Sequence, residues 1–416
     1  MKILVFEDEK AINLYPLTYL RPTWELLCGA GTLLDKVKRH FPNNEIHFWC
    51  RPEMAPVLNR KYGKPVNDVK NLLGKESVML LNGRWLMGPG EFLPTKAEEQ
   101  GVCGDTLLYG HLAAEKIEPR DDLASLLKKA SSLPKKETKG RLINNLWEPV
   151  KYNAEAIKED FGLMGKKGVL GAMAPESTIY GPEDNVYVAP GAEIHPMVVL
   201  DTKGGPVIIA EGVKVFPFTR VEGPAYIGPN CQLVGGKIRE GCSFGPECRI
   251  GGEVEESIVQ GYSNKYHDGF LGHAHVGEWV NLGALTTNSD LKNDYSTVSL
   301  KIRGTMHDTG EMKVGSFIGD HTKTSIGTLM NTGTNIGIMC NVLGVGALLP
   351  KDLPSFAWFI EGNVMKGFGL QSQLKTARAA MARRKKELLP EEEALIGQVF
   401  EMTKEARLEA VRKSRG

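Results

Sequence analysis

The sequence lacks several features that would place it in a specialised class of protein. Its seven cysteines include no Cys-x-x-Cys pair, and an odd number of this kind favours reduced, buried thiols in a cytoplasmic protein. The net charge is only +1, so a general affinity for nucleic acid or for anionic membranes is not expected. No apolar run reaches membrane-spanning length, and the acidic residues after Ile3–Phe6 indicate a buried strand rather than a signal peptide.

What the sequence does have is a six-residue rhythm. An aliphatic residue returns at every sixth position from Ile209 to Leu233, and the same beat reappears between Ile318 and Leu348. This period fits neither an α-helix nor a lone strand, and it predicts a β-solenoid in which the chain turns a corner once per beat. The polar stretches 253–268 and 285–313 break the period, and we expect them to leave the coil as loops that carry its chemistry.

The 416 residues are enough for two or three domains, and the patterns predict four segments. Residues 1–140 alternate apolar strands with helical spacing, which predicts an α/β domain with a parallel sheet and ligands at its strand ends. Residues 141–175 read as a linker helix, 176–364 as the coil and 365–416 as a helical tail. The basic run 383–386 in that tail is interpreted first as a solvated helix face, with a phosphate contact as the alternative.

A family resemblance is carried by the segment His267-Asp-Gly-Phe-Leu-Gly-His-Ala-His-Val-Gly and its continuation Asn281-Leu-Gly-Ala284. It resembles the active-site stretch of the bacterial bifunctional glucosamine-1-phosphate acetyltransferase/N-acetylglucosamine-1-phosphate uridyltransferase family. The resemblance implies a left-handed parallel β-helix, a homotrimer and acetyl-CoA as the acyl donor. It also implies that His267 is the general base, a role that imidazole suits near neutral pH.

Other site residues follow from the same resemblance. It implies that Asn288 contacts the substrate or the intermediate, and that Ala284 and Gly333 lie near the acyl carrier. Two positions depart from the family, because Phe270 stands where a tyrosine is usual and Glu255 stands where a basic residue is usual. We therefore expect other side chains to bind the sugar phosphate, and the candidates are Lys265, Tyr266 and Arg249.

The front of the chain carries a second resemblance. Leu14-Tyr-Pro-Leu-Thr18, followed by Arg21-Pro22, resembles the opening of a divergent branch of the sugar-1-phosphate nucleotidyltransferases. That activity joins a nucleoside triphosphate to a sugar phosphate with the help of Mg²⁺. The usual Gly-x-Gly-Thr-Arg loop is absent, and Arg84 stands where the metal-binding aspartate is expected.

We therefore assign Arg21 to a phosphate, since a guanidinium suits bidentate contacts, and Asp8 and Asp105 to Mg²⁺. A plain turn role is the alternative for Asp105.

Three functional hypotheses follow. The first is a bifunctional enzyme that acetylates glucosamine-1-phosphate and then forms UDP-N-acetylglucosamine with release of pyrophosphate. The second is a non-catalytic nucleotide-sugar-binding or assembly subunit with a degenerate front domain. The third is a zinc-dependent enzyme like carbonic anhydrase, with His267, His273 and His275 as the candidate ligands.

Overall fold

The computed structural model describes residues 1–90, 98–344 and 346–414. Its front part is an α/β unit with these elements: β1 Lys2–Phe6, α1 Leu33–His40, β2 Ile46–Trp49, α2 Ala55–Tyr62, β3 Val78–Asn82, β4 Trp85–Leu86, β5 Gln100–Cys103, β6 Thr106–Leu112, α3 Leu123–Ser131, β7 Lys135–Glu137, β8 Arg141–Leu142 and α4 Glu148–Met164. Helix α1 begins with a capping box, in which the Thr32 and Asp35 side chains each accept from the other's backbone N–H. Six strands form one sheet in the order β2-β1-β3-β6-β5-β7.

The sheet is mixed rather than wholly parallel as predicted. Strands β2, β1 and β3 are parallel, and β6 joins β3 in the antiparallel sense. The cause is local, because β5 and β6 form a hairpin around Gly104, whose φ of 57° permits the tight turn. The parallel strand ends therefore bring together only the residues that follow Phe6, Trp49 and Asn82.

Short parallel strands build the middle of the chain. They are β9 Gly168–Val169, β10 Ala172–Met173, β11 Thr178–Tyr180, β12 Val186–Val188, β13 Glu193–Ile194, β14 Val199–Asp201, β15 Val207–Ile209, β16 Lys214–Val215, β17 Arg220–Glu222, β18 Ala225–Ile227, β19 Gln232–Ile238, β20 Cys242–Phe244, β21 Arg249–Glu255, β22 Ile258–Gly261, β23 Asn264–Lys265, β24 Phe270–Gly272, β25 His275–Glu278, β26 Thr287–Asn288, β27 Ser299–Ile302, β28 Thr305–Asp308, β29 Ser316–Ile318, β30 Lys323–Thr324, β31 Leu329–Met330, β32 Thr334–Ile336, β33 Asn341–Leu343, β34 Asp352–Leu353, β35 Trp358–Ile360 and β36 Asn363–Met365. Among the strands that the structure describes in this region, only the pairs β27–β28 and β35–β36 are antiparallel.

Each turn of this coil places its aliphatic residues on those of the turn before. One column runs Val188, Ile209, Ile227, Phe244, Val259 and Val276, and it continues through Ile318, Ile336 and Leu353. The beat residues Ile209, Val215, Val221, Ile227 and Leu233 are all fully buried. The six-residue period therefore arises because each repeat of six residues contributes one inward side chain to the next face of the coil's apolar core. The predicted parallel β-helix is confirmed.

The tail consists of α5 Leu370–Ala382, α6 Pro390–Met402 and α7 Lys404–Lys413. The order α/β domain, parallel β-helix and short helical tail is as predicted, whereas the exact domain boundaries stay predictions. The front domain docks directly on the coil. The Gln260 side chain accepts from Leu27 N and donates to Glu25 O, and Asn153 of α4 donates to Gly241 O.

No helix in the described part of the chain is long and apolar enough to cross a membrane. The seven cysteines are free thiols, and all except the half-buried Cys103 are buried.

Candidate active sites

The predicted base, His267, lies at an exposed corner of the coil. Strand β23 ends at Lys265, and the chain turns outward through Tyr266, His267 and Asp268 before β24 begins. Gly269 closes this turn with a φ of 123°, and a side chain there would meet the Thr286 carbonyl oxygen at 2.3 Å. The imidazole contacts the Tyr266 ring edge-on, with 5.4 Å between ring centroids. The corner therefore presents the His267 ring to solvent.

Lys265 holds this corner in place from inside. It continues the inward column Ile194, Val215, Leu233 and Ile250, so a lysine stands where the coil otherwise has an aliphatic side chain. Its Nζ donates to His267 O at 2.6 Å and to Gly251 O at 3.2 Å. Burial lowers the pKa of Lys265 to about 8, and this effect outweighs the negative charge of Asp268, which raises the pKa. The lysine expected to bind substrate instead positions the backbone of the base.

Ala284 lies in register with His267 on the next turn. Leu285 N donates to Asp268 O at 2.8 Å, and Gly327 N on the following turn donates to Ala284 O at 2.8 Å. We call this edge of the coil the His267 corner. Its exposed residues include Met197, Phe218, Tyr266, His267, Asp268, Leu285 and Ile326. Leu285 is 59% exposed and Ile326 74%, so apolar side chains lie beside the imidazole on the following turns, together with the exposed Asp268 of its own turn.

Two other predicted residues are structural in this arrangement. The Asn288 amide is buried, accepting from Gly272 N at 2.8 Å and donating to Gly272 O at 2.9 Å. It thereby ties β26 to β24, below the loop that carries His267. Gly333 lies at a different corner, where its φ is 63° and its N–H donates to Val314 O at 3.1 Å. The structure does not bring Gly333 into the His267 corner.

A cation-rich cavity lies along the same turns, just before the corner. Arg249 heads a column that continues through Asn264, Asn281 and Lys323. The cavity has a volume of about 230 Å³, and Lys323, Arg383 and Arg384 line it together with the stacked rings of Tyr262 and Trp279.

One of these cations, Lys323, was missed as a site residue, whereas Arg384 belongs to the basic run for which a phosphate contact was the alternative. Burial lowers the pKa of Lys323 to about 8, and its Nζ donates only to the carbonyl oxygens of Trp279 and His321. Arg384 donates to Asn264 Oδ1 at 2.9 Å. The basic run of the tail therefore contributes to a cavity wall, and Lys323 carried no sequence signal that marked it.

In the front domain, Asp8 is not available to a metal ion. Arg84 donates to both of its carboxylate oxygens, from Nε at 2.7 Å and from Nη2 at 2.5 Å, and Asn82 adds a third hydrogen bond at 3.0 Å. Burial raises the pKa of Asp8, but the hydrogen bonds and charge of Arg84 outweigh burial and lower it. A guanidinium therefore occupies the place that the prediction gave to Mg²⁺.

Asp105 lies exposed in the turn between β5 and β6, as its alternative interpretation expects. Within the described residues, no cluster of three or more histidine, cysteine, aspartate or glutamate side chains is suited to a metal ion. Asp8 and Asp105 thus do not fit Mg²⁺, and we derive no step from that ion.

Arg21 faces the coil instead of a phosphate. Its guanidinium is buried, donates to Asp320 Oδ1 at 2.8 Å and to Leu17 O at 2.7 Å, and lies 3.4 Å from Glu278. Asp320 also accepts from Glu278 N at 2.6 Å. Arg21 is therefore a structural link between the front domain and the coil. Sequence spacing could not reveal this, because its partner lies 299 positions away.

The three histidines proposed for zinc do not converge. His273 is held between Asp290 at 2.7 Å and Glu256 at 3.2 Å. Burial lowers the pKa of His273, but both carboxylates together outweigh it and raise the pKa to about 9, so the ring is an imidazolium at neutral pH. His275 is fully buried, with Nε2 3.3 Å from Gln260 Oε1, and burial lowers its pKa to about 3. Because no three histidine, cysteine, aspartate or glutamate side chains of the described residues are grouped to hold a metal ion, nothing there favours the zinc hypothesis.

Comparison with known proteins supports the resemblance read from the sequence. Residues 3–168 match the family model of sugar nucleotidyl transferases. The chain is 32% identical over 101 residues to the bifunctional sugar-1-phosphate nucleotidylyltransferase/acetyltransferase of Sulfurisphaera tokodaii, covering 24% of this chain and 25% of that protein. It is 30% identical over 152 residues to the bifunctional protein GlmU of an Azoarcus species, covering 35% of this chain and 29% of the relative.

A third relative, the bifunctional protein GlmU of Heliobacterium modesticaldum, is 25% identical over 193 residues, covering 42% of this chain and 37% of that protein. These matches span only about a quarter to two fifths of each relative's length. A crystal structure of a UDP-N-acetylglucosamine acyltransferase aligns with 47% of this chain and 71% of its own, at 16% identity and a TM-score of 0.24. The sequence matches are what place this chain near a divergent branch of these bifunctional proteins.

Proposed function

We propose that the coil transfers an acetyl group from acetyl-CoA to the amine of an amino-sugar phosphate, glucosamine-1-phosphate in the first instance. The observation that carries this proposal is the His267 corner, where a solvent-facing imidazole lies in register with Ala284 beside a cation-rich cavity. The relatives named as nucleotidylyltransferase/acetyltransferase support the class of reaction. The front domain is assigned the second step, nucleotidyl transfer to give UDP-N-acetylglucosamine and pyrophosphate.

In the acetyl transfer, His267 accepts a proton from the attacking amine as its nitrogen bonds to the thioester carbonyl carbon. The tetrahedral intermediate then collapses, the carbon–sulfur bond breaks, and the thiolate of the coenzyme takes the proton held by His267 and leaves as the thiol. Backbone N–H groups of the corner are suited to stabilise the oxyanion. Lys265 acts as a positioning residue, since its Nζ binds the His267 carbonyl oxygen and fixes the turn.

The substrate and carrier phosphates are assigned to the cavity that Lys323, Arg383 and Arg384 line, and Arg249 pairs with Asn264 of that lining from the preceding turn. Its cations face few carboxylates, the nearest being Glu247 at 3.9 Å from Arg384. Tyr266, 38% exposed beside the base, remains our candidate for a sugar contact, whereas Asn288 keeps a positioning role through β24.

The apolar residues of the His267 corner support assembly with further copies of the chain. We propose a cytoplasmic homotrimer in which this edge packs against a neighbouring copy, so that each catalytic cleft is shared. Exposed leucine, isoleucine, methionine and phenylalanine side chains along one edge are typical of such an interface.

A specific observation favours a second candidate for the front domain alone. The Asp8–Arg84 and Glu7–Arg51 ion pairs occupy its strand ends, so neither the Asp8 nor the Glu7 carboxylate is free to bind a metal. The alternative is therefore a front domain that binds a nucleotide sugar without making it. Release of pyrophosphate from a nucleoside triphosphate and a sugar phosphate separates the two.

The experiment is a mass-spectrometric screen of sugar phosphates with acetyl-CoA and each nucleoside triphosphate, followed by kinetics on the best substrate. We expect His267→Ala to reduce acetyl transfer by roughly two to four orders of magnitude, the usual contribution of a general base. The matched control is His195→Ala, which removes an imidazole from an earlier turn of the coil and should leave the rate unchanged. Equal rates for the wild type and the His267 variant would remove His267 from the mechanism.

A further inference from the structure

A large cavity lies outside the sites described above. It has a volume of about 880 Å³, within the usual range for small-molecule sites. Three parts of the chain enclose it: the segment around Tyr15 and Tyr19, the β27–β28 hairpin with the adjoining coil turns, and helix α7. The hairpin belongs to the second stretch that breaks the six-residue period.

One wall of this cavity is aromatic and firmly held. The Tyr15 and Tyr19 rings are stacked, with 3.9 Å between centroids and 17° between planes. The Arg51 guanidinium lies 5.7 Å from the centroid of the Tyr15 ring, and Arg51 is itself anchored by Glu7 at 3.0 Å. Neither tyrosine hydroxyl has a hydrogen-bond partner elsewhere in the described chain. A rigid pair of rings with free hydroxyl groups is suited to a flat, polar ring.

The lining also carries two cations that no ion pair among the described residues neutralises, and the exposed Glu405 carboxylate lies in the same lining. Arg303 and Lys351 line the cavity, and neither makes an ion pair with any residue the structure describes. The Lys351 ammonium makes one long hydrogen bond, 3.4 Å to Ser299 O. The other cations here are already matched, since Lys413 pairs with Glu409 at 2.5 Å and Lys301 lies 3.8 Å from Asp352. Two unpaired cations in one cavity are suited to phosphate oxygens.

Polar acceptors in the same lining lack donors among the described residues. Asn335 is only 7% exposed and donates from Nδ2 to Lys301 O at 3.0 Å, yet its Oδ1 is buried without a partner among the described residues. Asp352 has only the distant Lys301 for compensation, and burial raises the pKa of its carboxyl to about 6. A buried oxygen without a donor is costly, and a ligand hydroxyl or N–H would satisfy it.

We propose that this cavity is a binding site for a nucleoside diphosphate group, free or attached to a sugar. The base stacks on the tyrosine pair, the diphosphate binds Arg303 and Lys351, and hydroxyl groups donate to Asn335 and Asp352. The site is built from the Tyr15–Tyr19 segment, the coil, the hairpin and the terminal helix, and its aromatic wall adjoins the Glu7–Arg51 ion pair at the strand ends of the front sheet. Binding alone is claimed, so the inference requires neither of the transfer steps proposed above.

The test is calorimetric titration of the full chain with the diphosphates of uridine, guanosine, adenosine and cytidine, with uridine and inorganic diphosphate as partial ligands. At least one nucleoside diphosphate should bind more tightly than either partial ligand, because only the whole ligand reaches both the tyrosine pair and the two cations. Arg303→Ala/Lys351→Ala should weaken that binding on the order of tenfold or more. Tyr19→Leu should weaken the nucleoside diphosphate and uridine but leave inorganic diphosphate unchanged.

The matched control is Arg60→Ala/Lys375→Ala, which removes two exposed cations that make no ion pair among the described residues and should not change the affinity. The proposal is overturned if no nucleoside diphosphate binds the wild type, or if the Arg303/Lys351 double variant binds as tightly as its control. It is overturned also if inorganic diphosphate binds as tightly as every nucleoside diphosphate. Because His267→Ala should retain this binding, failure here is distinguishable from failure of the acetyl-transfer proposal.

Discussion

The strand ends of the front sheet and the His267 corner of the coil differ in whether their charged and ionisable side chains are paired with each other. At the strand ends, the side chains that follow β1 and β3 face each other, and Arg84 takes both oxygens of Asp8. At the corner, the imidazole of His267 points to solvent, and the lysine beside it binds only backbone oxygens. Both regions resemble catalytic segments of known enzymes in sequence, but only the corner leaves its chemistry open.

The difference teaches that a motif names residues but not their partners. A side chain that a motif assigns to a ligand is available to that ligand only if it does not form an ion pair with another side chain of the same chain. Arg21 forms an ion pair with Asp320, and Asp8 forms one with Arg84. Mutations at the strand ends should therefore change stability, whereas mutations at the corner should change activity or assembly.

The largest effect on stability is expected from breaking the Asp8–Arg84 pair. Arg84→Met leaves the Asp8 carboxylate partly buried without its cation, which should lower the free energy of unfolding by about 4 kcal/mol. Denaturant unfolding of the full chain measures this loss. The double variant Asp8→Asn/Arg84→Met should recover a large part of it, because no unpaired charge is left.

Lys10→Ala is the control, since this exposed neighbour should change the free energy by less than about 0.5 kcal/mol. If Arg84→Met were as stable as the control and gained affinity for Mg²⁺, the strand ends would be a functional site and the contrast with the corner would fail.

A smaller effect, dependent on pH, is expected at His273. Its pKa is about 9 in the folded chain, above the ordinary value of 6.5, because Asp290 and Glu256 stabilise the imidazolium. This contribution is fully present below pH 6.5 and is lost as the pH rises through 9, and the shift corresponds to about 3 kcal/mol. The wild type should therefore exceed His273→Gln in unfolding free energy at pH 6, and the gap should narrow by pH 10. A gap that stays constant over this range would contradict the ion-pair assignment.

The coil was predictable from sequence because its period is local. Each beat residue, such as Ile227, meets its equivalent on the next turn, so the spacing alone carries the packing. The site residues depend on contacts between distant segments, and those left no pattern. In the sequence, Lys265 looks like a cation of a surface loop, but it lies where the coil otherwise has an inward aliphatic side chain. Arg21 matches a nucleotidyltransferase motif, but it forms an ion pair with Asp320. The expectation that 253–268 leaves the coil as a loop was wrong, because β22 and β23 lie within that stretch and pair in parallel with neighbouring turns. His267 lies at the corner that follows β23, whereas 285–313 does leave the coil, as the β27–β28 hairpin.

The smallest effect on the single chain is expected at Leu285, beside the base. Because this side chain is 59% exposed, Leu285→Ser should change the unfolding free energy of one copy by less than about 0.5 kcal/mol. Association of copies should weaken much more, since burying a leucine contributes about 1.5 kcal/mol or more and each copy in a closed ring repeats the loss. Sedimentation at several concentrations measures the shift toward monomer, with Leu163→Ser, on the exposed face of α4, as the control. If both variants assemble alike, the apolar edge of the corner is not where copies meet, and the catalytic cleft must be complete within one chain.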